Sequence, residues 1–408
     1  MTGVQAGRIL AALPPGLPAA VVRDGPRTVV AAGAAEVVSI AEPEGADAFR
    51  ALDRLGPGWW AGILGYDLGR WVERVRPRNF AEASVPLVWF IRFEARAELD
   101  PAAGRARLVG TGSAREHLSA ALEEPGSGGA ASGLGLGPWT TSLGREEYEA
   151  GVRTIIGLVE AGDCYQANLT RRLSCERAAD PVALWCALET GNPAPHAAFL
   201  RLGGFAVVSA SPERFLRREG RAVETRPIKG TAREASELRA SAKDRAENVM
   251  IVDLARNDLG RVCEPGSVQV PDLCALEAHP GLVHLVSTVR GRLRAGVELG
   301  ALVRATFPPA SVTGAPKPRV LQVIEDLEPV RRGVYCGAIG WVDTEAQRAD
   351  LAVAIRTFTV QPGGTDLGVG AGITADSDPA REWAETELKA ARLLALAGRE
   401  ARIPAGAR

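Results

Sequence analysis

Lysine is rare in this chain, which makes its few positions candidates for chemistry. Only four of the 48 lysine and arginine residues are lysines, and each lies in a short polar segment: Lys229, Lys243, Lys317 and Lys389. Arginine cannot replace lysine where a compact ammonium or a neutral amine nucleophile is required, because the guanidinium stays protonated. The alternative for each lysine is an ordinary place on a solvated face.

Carboxylates in two predicted helices also fall where apolar residues are expected. At about 100° per residue, one side of the segment from 236 to 258 collects Asp244, Glu247, Ile251, Leu254 and Ala255. A second helix is predicted from an N-cap at Asp378, with Pro379 in its first turn, and one side of it carries Glu382, Glu385 and Lys389. A carboxylate that faces the core needs a cation, a proton or several hydrogen-bond donors.

Two helices that each offer inward carboxylates indicate a site for a hard divalent cation, since such ions prefer oxygen ligands. Mg²⁺ is the natural candidate. The alternative is that the glutamates form helix-surface ion pairs with arginines such as Arg245 and Arg381. Spacing alone does not decide between the two.

The composition is that of a globular protein without a strong charge bias. Hydrophobic residues make up 46% of the chain and the net charge is −1, so no basic excess argues for nucleic acid or a membrane surface. The six cysteines form no CxxC pair, which favours a reducing compartment. The apolar stretch at 9–22 contains three prolines and does not resemble a signal peptide, and no run is long enough to span a bilayer. We therefore expect a cytoplasmic protein.

The order of predicted elements favours an α+β fold, because strands and helices mix without the regular rhythm of a parallel sheet. Strands are predicted at 57–66, 87–93, 164–173, 205–209, 283–289, 334–341, 351–360 and 366–373, and a further helix at 146–160. A Gly/Ser-rich stretch at 124–138 predicts a connector between an N-terminal region, 1–123, and a larger region, 139–400.

Eight short motifs occur in the order found in the chorismate-utilising enzymes: PIKGT, AENVMIVDLARNDLGRV, HLVST, TGAPK, YCGAIGW, AIRT, GAGITADSDP and ETELKA. The set resembles component I of aminodeoxychorismate synthase over 145–395, with a weaker match at 59–70. The resemblance implies large mixed or antiparallel β-sheets packed as a sandwich with flanking helices. It makes 1–123 the N-terminal component I subdomain and 139–400 the chorismate-binding catalytic domain.

Two positions indicate a branch within this family. Anthranilate synthases carry alanine in place of the lysine of PIKGT, whereas this chain has Lys229. Relatives that add water to chorismate carry a lysine base at the position of Gln166. A glutamine suits an ammonia nucleophile, which needs no strong base. Both positions therefore favour the branch that aminates C4 of chorismate.

Residue-by-residue matching implies roles for individual side chains. Lys229 would bond covalently to the substrate and Glu213 would be the acid–base residue. Mg²⁺ would be bound by Glu247, Glu382 and Glu385, in agreement with the helix-face argument. The residues implied to bind the substrate are Gln166, Thr231, His284, Thr313, Lys317, Tyr335, Arg356, Gly370, Ala371, Gly372 and Lys389.

The activity implied is conversion of chorismate and ammonia to 4-amino-4-deoxychorismate, for 4-aminobenzoate and folate biosynthesis. The chain lacks the GxCxGxQ segment of a class I glutaminase, so ammonia is expected from a separate glutamine amidotransferase subunit. One alternative is an anthranilate-type enzyme, which Lys229 disfavours. Another is a non-catalytic paralogue that binds a small acid or a glutaminase, which would have no need for both Glu213 and Lys229.

The chain departs from the family pattern at three positions. Pro309 and Ala310 stand where relatives usually have two glycines, and Ala371 stands where some relatives have a third. Because these residues lack the access of glycine to positive φ, we expect the carboxylate-binding loop to be reshaped.

Overall fold

The computed structural model describes residues 5–41, 48–78, 85–126, 134–279 and 282–398. Its strands are β1 (Ala19–Asp24), β2 (Arg27–Ile40), β3 (Trp59–Leu64), β4 (Val88–Asp100), β5 (Arg105–Gly110), β6 (Thr140–Thr141), β7 (Gln166–Cys175), β8 (His196–Leu202), β9 (Phe205–Ser211), β10 (Arg214–Glu219), β11 (Ala222–Arg226), β12 (Ile228–Ala232), β13 (Gln269–His279), β14 (Leu282–Arg292), β15 (Gly314–Ala315), β16 (Ala338–Asp343), β17 (Arg348–Val353), β18 (Thr357–Gln361) and β19 (Gly364–Ile373). Its helices are α1 (Ala6–Ala12), α2 (Ala48–Asp53), α3 (Gly112–Glu123), α4 (Arg145–Glu160), α5 (Pro181–Gly191), α6 (Ala235–Ala240), α7 (Ala242–Gly260), α8 (Leu299–Thr306), α9 (Lys317–Leu327) and α10 (Pro379–Leu396).

The strands join into one continuous antiparallel ribbon. Neighbours follow the order β13, β14, β11, β10, β17, β16, β3, β4, β2, β1, β8, β9, β18, β19 and β7. The ribbon folds back on itself, so strands from its two halves enclose a shared apolar cluster. The predicted α+β class, with a sandwich of antiparallel sheets and flanking helices, is confirmed.

Strands at the middle of the ribbon are buried on both faces. In β3, Trp59 and Ile63 lie in the cluster between the two halves of the ribbon, whereas Trp60 and Leu64 lie in a cluster beneath the helices. This division follows from the alternation of side chains along a strand. Trp59 stacks on Trp341 of β16 with ring centroids 6.4 Å apart. Aromatic packing therefore reinforces the pairing of these two neighbouring strands.

Helices cover the two outer faces of the sandwich. One face is covered by α2, α4, α7, α8 and α9, and the other by α1, α3, α5 and α10. Near the start of α10, Trp383 also packs against the first of these clusters. This position brings α10 toward α7, the other helix that carries inward carboxylates.

The predicted helices are present, with one difference. Asp378 caps α10 by accepting a hydrogen bond from the backbone amide of Arg381 at 2.9 Å. The segment predicted as one helix at 236–258 is broken at Ser241. The Ser241 side chain accepts from the backbone amide of Asp244 at 3.1 Å and so begins a new helix, α7.

Two predicted strands are wrong in part. The segment 333–336 forms a turn before β16, with Cys336 at φ +65°. The predicted strand at 351–360 is interrupted between β17 and β18, where Arg356 has φ +52°. A positive φ is incompatible with strand geometry. The apolar run conceals this break, because the residues on either side of it are buried.

The predicted division at 124–138 stays a prediction, and residues 127–133 of that connector lie outside the described residues. Strands from the two predicted regions pair with each other, since β1 pairs with β8 and β3 pairs with β16. Among the described residues, no helix combines the length and apolar character needed to cross a bilayer.

Candidate active site

Lys229 lies on β12, where the backbone departs from regular strand geometry. The register between β12 and β14 shifts between Ile228 and Thr231, and Gly230 has φ +87°. A Cβ at Gly230 would lie 3.0 Å from the Cβ of Asp244 on α7, so the close approach also requires glycine. Irregularities of this kind commonly re-aim a side chain beside an active site.

The amine of Lys229 lies beside a strand face that has no side chain. A Cβ at Gly372 would be 3.2 Å from Nζ of Lys229 and 2.6 Å from Nε2 of Gln166. Burial lowers the pKa of Lys229, although the carboxylates of Glu247 and Glu213 act in the opposite direction. A lowered pKa makes the neutral, nucleophilic amine more available.

Three alternating glycines leave one face of β19 without side chains of its own, and we call it the bare face. Gly368, Gly370 and Gly372 point to the same side of the strand. The ring of Tyr335 occupies the space over Gly368, since a Cβ there would come within 2.1 Å of it. Gly370 and Gly372 were identified from the sequence, whereas Gly368 was not. The signal was present as a G-x-G-x-G pattern at strand period.

Gln166, at the start of β7, is fully buried and its amide is unsatisfied. Neither Nε2 nor Oε1 has a hydrogen-bond partner among the described residues. A buried amide without partners is costly, so such a group in a native protein calls for a ligand or a water molecule. The orphan amide lies next to Gly372 and therefore close to the Lys229 amine.

Glu213 is buried in the turn between β9 and β10. Burial raises its pKa from an ordinary 4.5 to about 7, although the nearby Ser311 hydroxyl and the Lys229 cation act in the opposite direction. A carboxyl group with this pKa can both give and take a proton near neutral pH. Ser311 was not identified from the sequence.

Thr231 and His284 form a pair next to Lys229. Thr231 lies opposite His284 in the pairing of β12 with β14, and its Oγ1 lies 2.8 Å from Nδ1 of the buried imidazole. This contact fixes the ring orientation. The two residues predicted to bind substrate on these strands are therefore coupled to each other.

The predicted metal ligands lie around a lysine ammonium. Nζ of Lys243 is 3.9 Å from an oxygen of Glu247 on α7 and 3.9 Å from an oxygen of Glu382 on α10. Ser377 also donates a hydrogen bond to Glu382 at 2.7 Å. Burial raises the pKa of both glutamates, and Lys243 opposes the shift. One cation therefore already bridges the two helices.

The carboxylate site fits a divalent cation in its chemistry. Within the part of the chain that the structure describes, no group of three or more His, Cys, Asp or Glu residues is arranged to hold a metal. The donors are all carboxylate oxygens, however, and two buried ones from different helices already share one positive charge. The alternative partners, Arg245 and Arg381, form no ion pair with these glutamates in the described residues.

Lys389 connects the carboxylate site to the bare strand face. Its Nζ donates a hydrogen bond to the carbonyl oxygen of Gly370 at 2.9 Å and lies 2.6 Å from Glu385, one turn earlier on α10. Burial alone would raise the pKa of Glu385, but Lys389 and Lys243 outweigh it and lower the pKa. The side chains of Lys389 and Glu385 are both half exposed, whereas the side chain of Glu382 is buried.

A buried arginine on β7 anchors α10. The Arg171 guanidinium donates to Oγ1 of Thr386 at 3.0 Å, pairs with Glu387, and lies 4.1 Å from the ring centroid of Trp383. These contacts surround the turn of α10 that carries Glu382 and Glu385. Sequence analysis missed Arg171, and nothing in its local sequence distinguishes it from Arg172 beside it.

Arg356 occupies the break between β17 and β18 and carries an uncompensated charge. Burial lowers its pKa, and the neighbouring Arg392 acts in the same direction. No hydrogen bond or ion pair to its guanidinium is found among the described residues. A partly buried cation held in a strained backbone conformation is suited to bind an anion such as a carboxylate.

Lys317 and Thr313, two residues predicted to bind substrate, make their hydrogen bonds within the protein and not at Lys229. Lys317 is buried, with Nζ 2.7 Å from Asp258 and 3.1 Å from the carbonyl oxygen of Thr306. The hydroxyl of Thr313 donates to the carbonyl oxygen of Pro309 at 3.0 Å. No recorded contact in the described residues joins Lys317 or Thr313 to Lys229. Their side chains stabilise the segment that leads into α9.

The three departures from the family pattern do not require positive φ. Pro309 has φ −55°, and Ala310 begins a short 3₁₀ helix at Ala310–Val312. Ala371 lies in β19 opposite Leu169, with its side chain in the core. None of the three residues has a positive φ in this chain, and the expected reshaping of the loop relative to the relatives stays a prediction.

Comparisons with known proteins identify the family of this chain. The model of the chorismate binding enzyme family matches residues 18–395. Aminodeoxychorismate synthase component 1 of Klebsiella aerogenes is 40% identical over 343 residues, which cover 82% of this chain and 76% of the relative. Anthranilate synthase component 1 of Streptomyces coelicolor is 44% identical over 267 residues, which cover 63% of this chain and 52% of the relative.

A solved structure agrees as well. Anthranilate synthase component I of Streptococcus pneumoniae superposes with a TM-score of 0.79 at 27% identity, over 91% of this chain and 92% of that one. All of the site residues described above lie within the range that the family model matches. The chain therefore belongs to the family of chorismate binding enzymes.

Proposed function

We propose that this chain is the ammonia-adding component of an aminodeoxychorismate synthase, which converts chorismate and ammonia to 4-amino-4-deoxychorismate. The observation that carries the proposal is the Lys229 amine beside the buried Glu213 and the bare face at Gly372. Anthranilate synthases match this chain about as well in identity. Lys229 favours the 4-aminating reaction, because it provides a nucleophile of the protein itself for C2.

In the proposed reaction, Lys229 is the nucleophile and Glu213 is the acid–base residue. The Lys229 amine bonds to C2 while the C4–O bond breaks, and Glu213 gives its proton to the departing hydroxide, which leaves as water. Ammonia then bonds to C4 and the bond between C2 and Lys229 breaks. Glu213 recovers its proton from the attacking nitrogen, so no external acid is consumed.

Glu247, Glu382 and Glu385 are proposed to hold Mg²⁺. When bound there, the ion would polarise the ring carboxylate of chorismate and make the ring more electrophilic. The residues of the chain keep this site in position: Arg171 fixes α10, and Ser377 orients Glu382. Lys389 links the site to β19, where the substrate ring is proposed to lie.

The remaining charges suit a dianionic substrate. Arg356 has a partly buried guanidinium without a partner among the described residues, and we assign to it one carboxylate of chorismate. Gln166 has two unsatisfied amide atoms, and we assign to it the incoming ammonia or the departing water. Both groups become satisfied when the substrates bind.

Ammonia is proposed to come from a glutamine amidotransferase subunit on a separate chain. The relatives named as component 1 support a second component. We also propose that the enzyme acts in the cytoplasm and that its product serves 4-aminobenzoate and folate formation.

The function is tested with purified protein, chorismate, Mg²⁺ and ammonium at alkaline pH. We expect 4-amino-4-deoxychorismate without release of pyruvate, because the enolpyruvyl group is retained. Glutamine alone should give no product until an amidotransferase subunit is added. Stoichiometric pyruvate and anthranilate would identify the 2-aminating alternative, and the absence of any product would favour a non-catalytic paralogue.

We expect Glu247→Gln to weaken Mg²⁺ binding by at least about tenfold, because a carboxylate ligand becomes a neutral amide. The free energy of unfolding should stay the same or rise, since a buried charge is removed. Titration calorimetry with Mg²⁺ and urea denaturation measure the two effects.

Asp253→Asn is the matched control for this change. It also converts an acid to an amide on α7, but its side chain is exposed and paired with Arg256. The control should bind Mg²⁺ as the unmodified protein does. Equal Mg²⁺ affinity in both variants would contradict the assignment of Glu247.

A further inference from the structure

Lys243 is the one lysine of the carboxylate site that the proposed reaction does not use. It lies on α7 one turn before Glu247, and its ammonium is equally distant from Glu247 and from Glu382. Both carboxylates are largely buried, with side chains 15% and 6% exposed, whereas the Lys243 side chain is 49% exposed. The Lys243 side chain therefore reaches the two carboxylates from the solvent side of the site, and its flexible aliphatic part stays half exposed.

Without Lys243, no cation would bridge the two carboxylates, although Lys229 would still act on Glu247 and Lys389 on Glu382. Lys389 lies with Glu385, and Ser377 gives Glu382 a single neutral hydrogen bond. Like charges in a poorly solvated place repel, and uncompensated burial of charge is costly. Lys243 is the group that bridges α7 and α10 between these two carboxylates.

A divalent cation bound by Glu247 and Glu382 would occupy the same space. Glu247 and Glu382 would hold Mg²⁺ through carboxylate oxygens, the same groups that Lys243 now contacts. Two cations a few ångströms apart repel strongly where water is scarce. The ammonium and the divalent ion are thus alternatives. Because the Lys243 side chain is half exposed, its ammonium can move into solvent when the divalent ion binds.

We propose that Lys243 is an exchangeable counter-ion of the carboxylate site. It holds Glu247 and Glu382 together in the metal-free protein and moves into solvent when a divalent cation binds. This inference rests on the proposed metal site. It makes Lys243 a positioning residue that sets the affinity for the metal by competing with it.

The first test measures Mn²⁺ binding by electron paramagnetic resonance, in which only free Mn²⁺ gives the sharp signal. Lys243→Gln should bind Mn²⁺ about fivefold more tightly, because removing a competing ion pair of this exposure is worth about that factor. The control is Arg245→Gln, which removes an exposed positive charge from the same turn of α7 but no contact with either glutamate. It should change the affinity less than about twofold, since a solvated charge is well screened.

The second test uses the unmodified protein and the scarcity of lysine. A limiting dose of an acetylating reagent is applied in EDTA and again at saturating Mg²⁺, and modification of each lysine is mapped by peptide mass spectrometry. Acetylation of Lys243 should rise severalfold with Mg²⁺. Lys317, buried against Asp258, is the internal control and should react little in both conditions.

The outcomes separate the two proposals. If the unmodified protein binds no Mn²⁺, the metal site itself is refuted, and the exchange with it. If it binds Mn²⁺ but Lys243→Gln binds with equal or lower affinity, the metal site stands and the role of Lys243 is refuted. Unchanged acetylation of Lys243 on addition of Mg²⁺ to a protein that binds Mn²⁺ also overturns the exchange.

Discussion

Incubated with chorismate and Mg²⁺ but without ammonia, the protein is expected to gain the mass of chorismate minus water on Lys229. The adduct forms because the amine can add to C2 and expel the C4 hydroxyl, while nothing is present to displace it. Intact-protein mass spectrometry detects the gain, and peptide mapping among only four lysines locates it. Added ammonium should then remove the adduct and release 4-amino-4-deoxychorismate.

Lys229→Ala and Lys229→Arg should both lose the adduct and reduce 4-amination by at least on the order of a thousandfold. The arginine variant is the matched control for charge, because it keeps a cation but has no free lone pair. Residual ammonia addition in the alanine variant is expected at C2, the position that the amine no longer occupies. Full activity in either variant would show that Lys229 is not the nucleophile.

The second large effect is expected at Glu213, in stability as well as in activity. Its pKa is raised by burial to about 7 from an ordinary 4.5, so the folded protein binds this proton more tightly than the unfolded chain does. The resulting stabilisation is fully present below pH 4.5 and is lost as the pH rises through 7. Above pH 8, ionised Glu213 therefore lowers the free energy of unfolding by about 3 kcal/mol.

Glu213→Gln should remove this pH dependence. Urea denaturation at pH 8.5 should show the variant to be more stable than the unmodified protein by about 3 kcal/mol, and the difference should vanish near pH 4.5. Turnover should fall by on the order of a hundredfold to ten-thousandfold, because the proton donor is lost. A stability difference that is the same at both pH values would contradict the raised pKa.

Local patterns were enough to predict the carboxylates of the site. Glu247 and Glu382 could be placed on inward helix faces because helical period depends only on neighbouring residues. The cation between them could not be assigned in the same way. Lys243 is four residues before Glu247, a spacing that allows an ion pair within α7, but its contact with Glu382 depends on the angle between α7 and α10, which the local sequence does not determine.

Other features depend on contacts between distant parts of the chain. The break at Arg356 is hidden because the segments on either side of it are buried and read as one apolar strand. Lys317 pairs with Asp258 of α7, far away in sequence, so its segment gave no sign that its charge is compensated. The unsatisfied amide of Gln166 arises from what surrounds it, and no property of its own segment predicts it.

The interleaved ribbon has a consequence for how the chain is made. The two-sided apolar strand β3 is synthesised early, but its partner β16 follows much later. At ribosomal speed this delay is roughly 15 to 55 s. During that time Trp59 and Trp60 lack their final neighbours, and an unpaired apolar strand is prone to aggregate. We therefore expect the nascent N-terminal strands to stay vulnerable to aggregation until β16 has emerged.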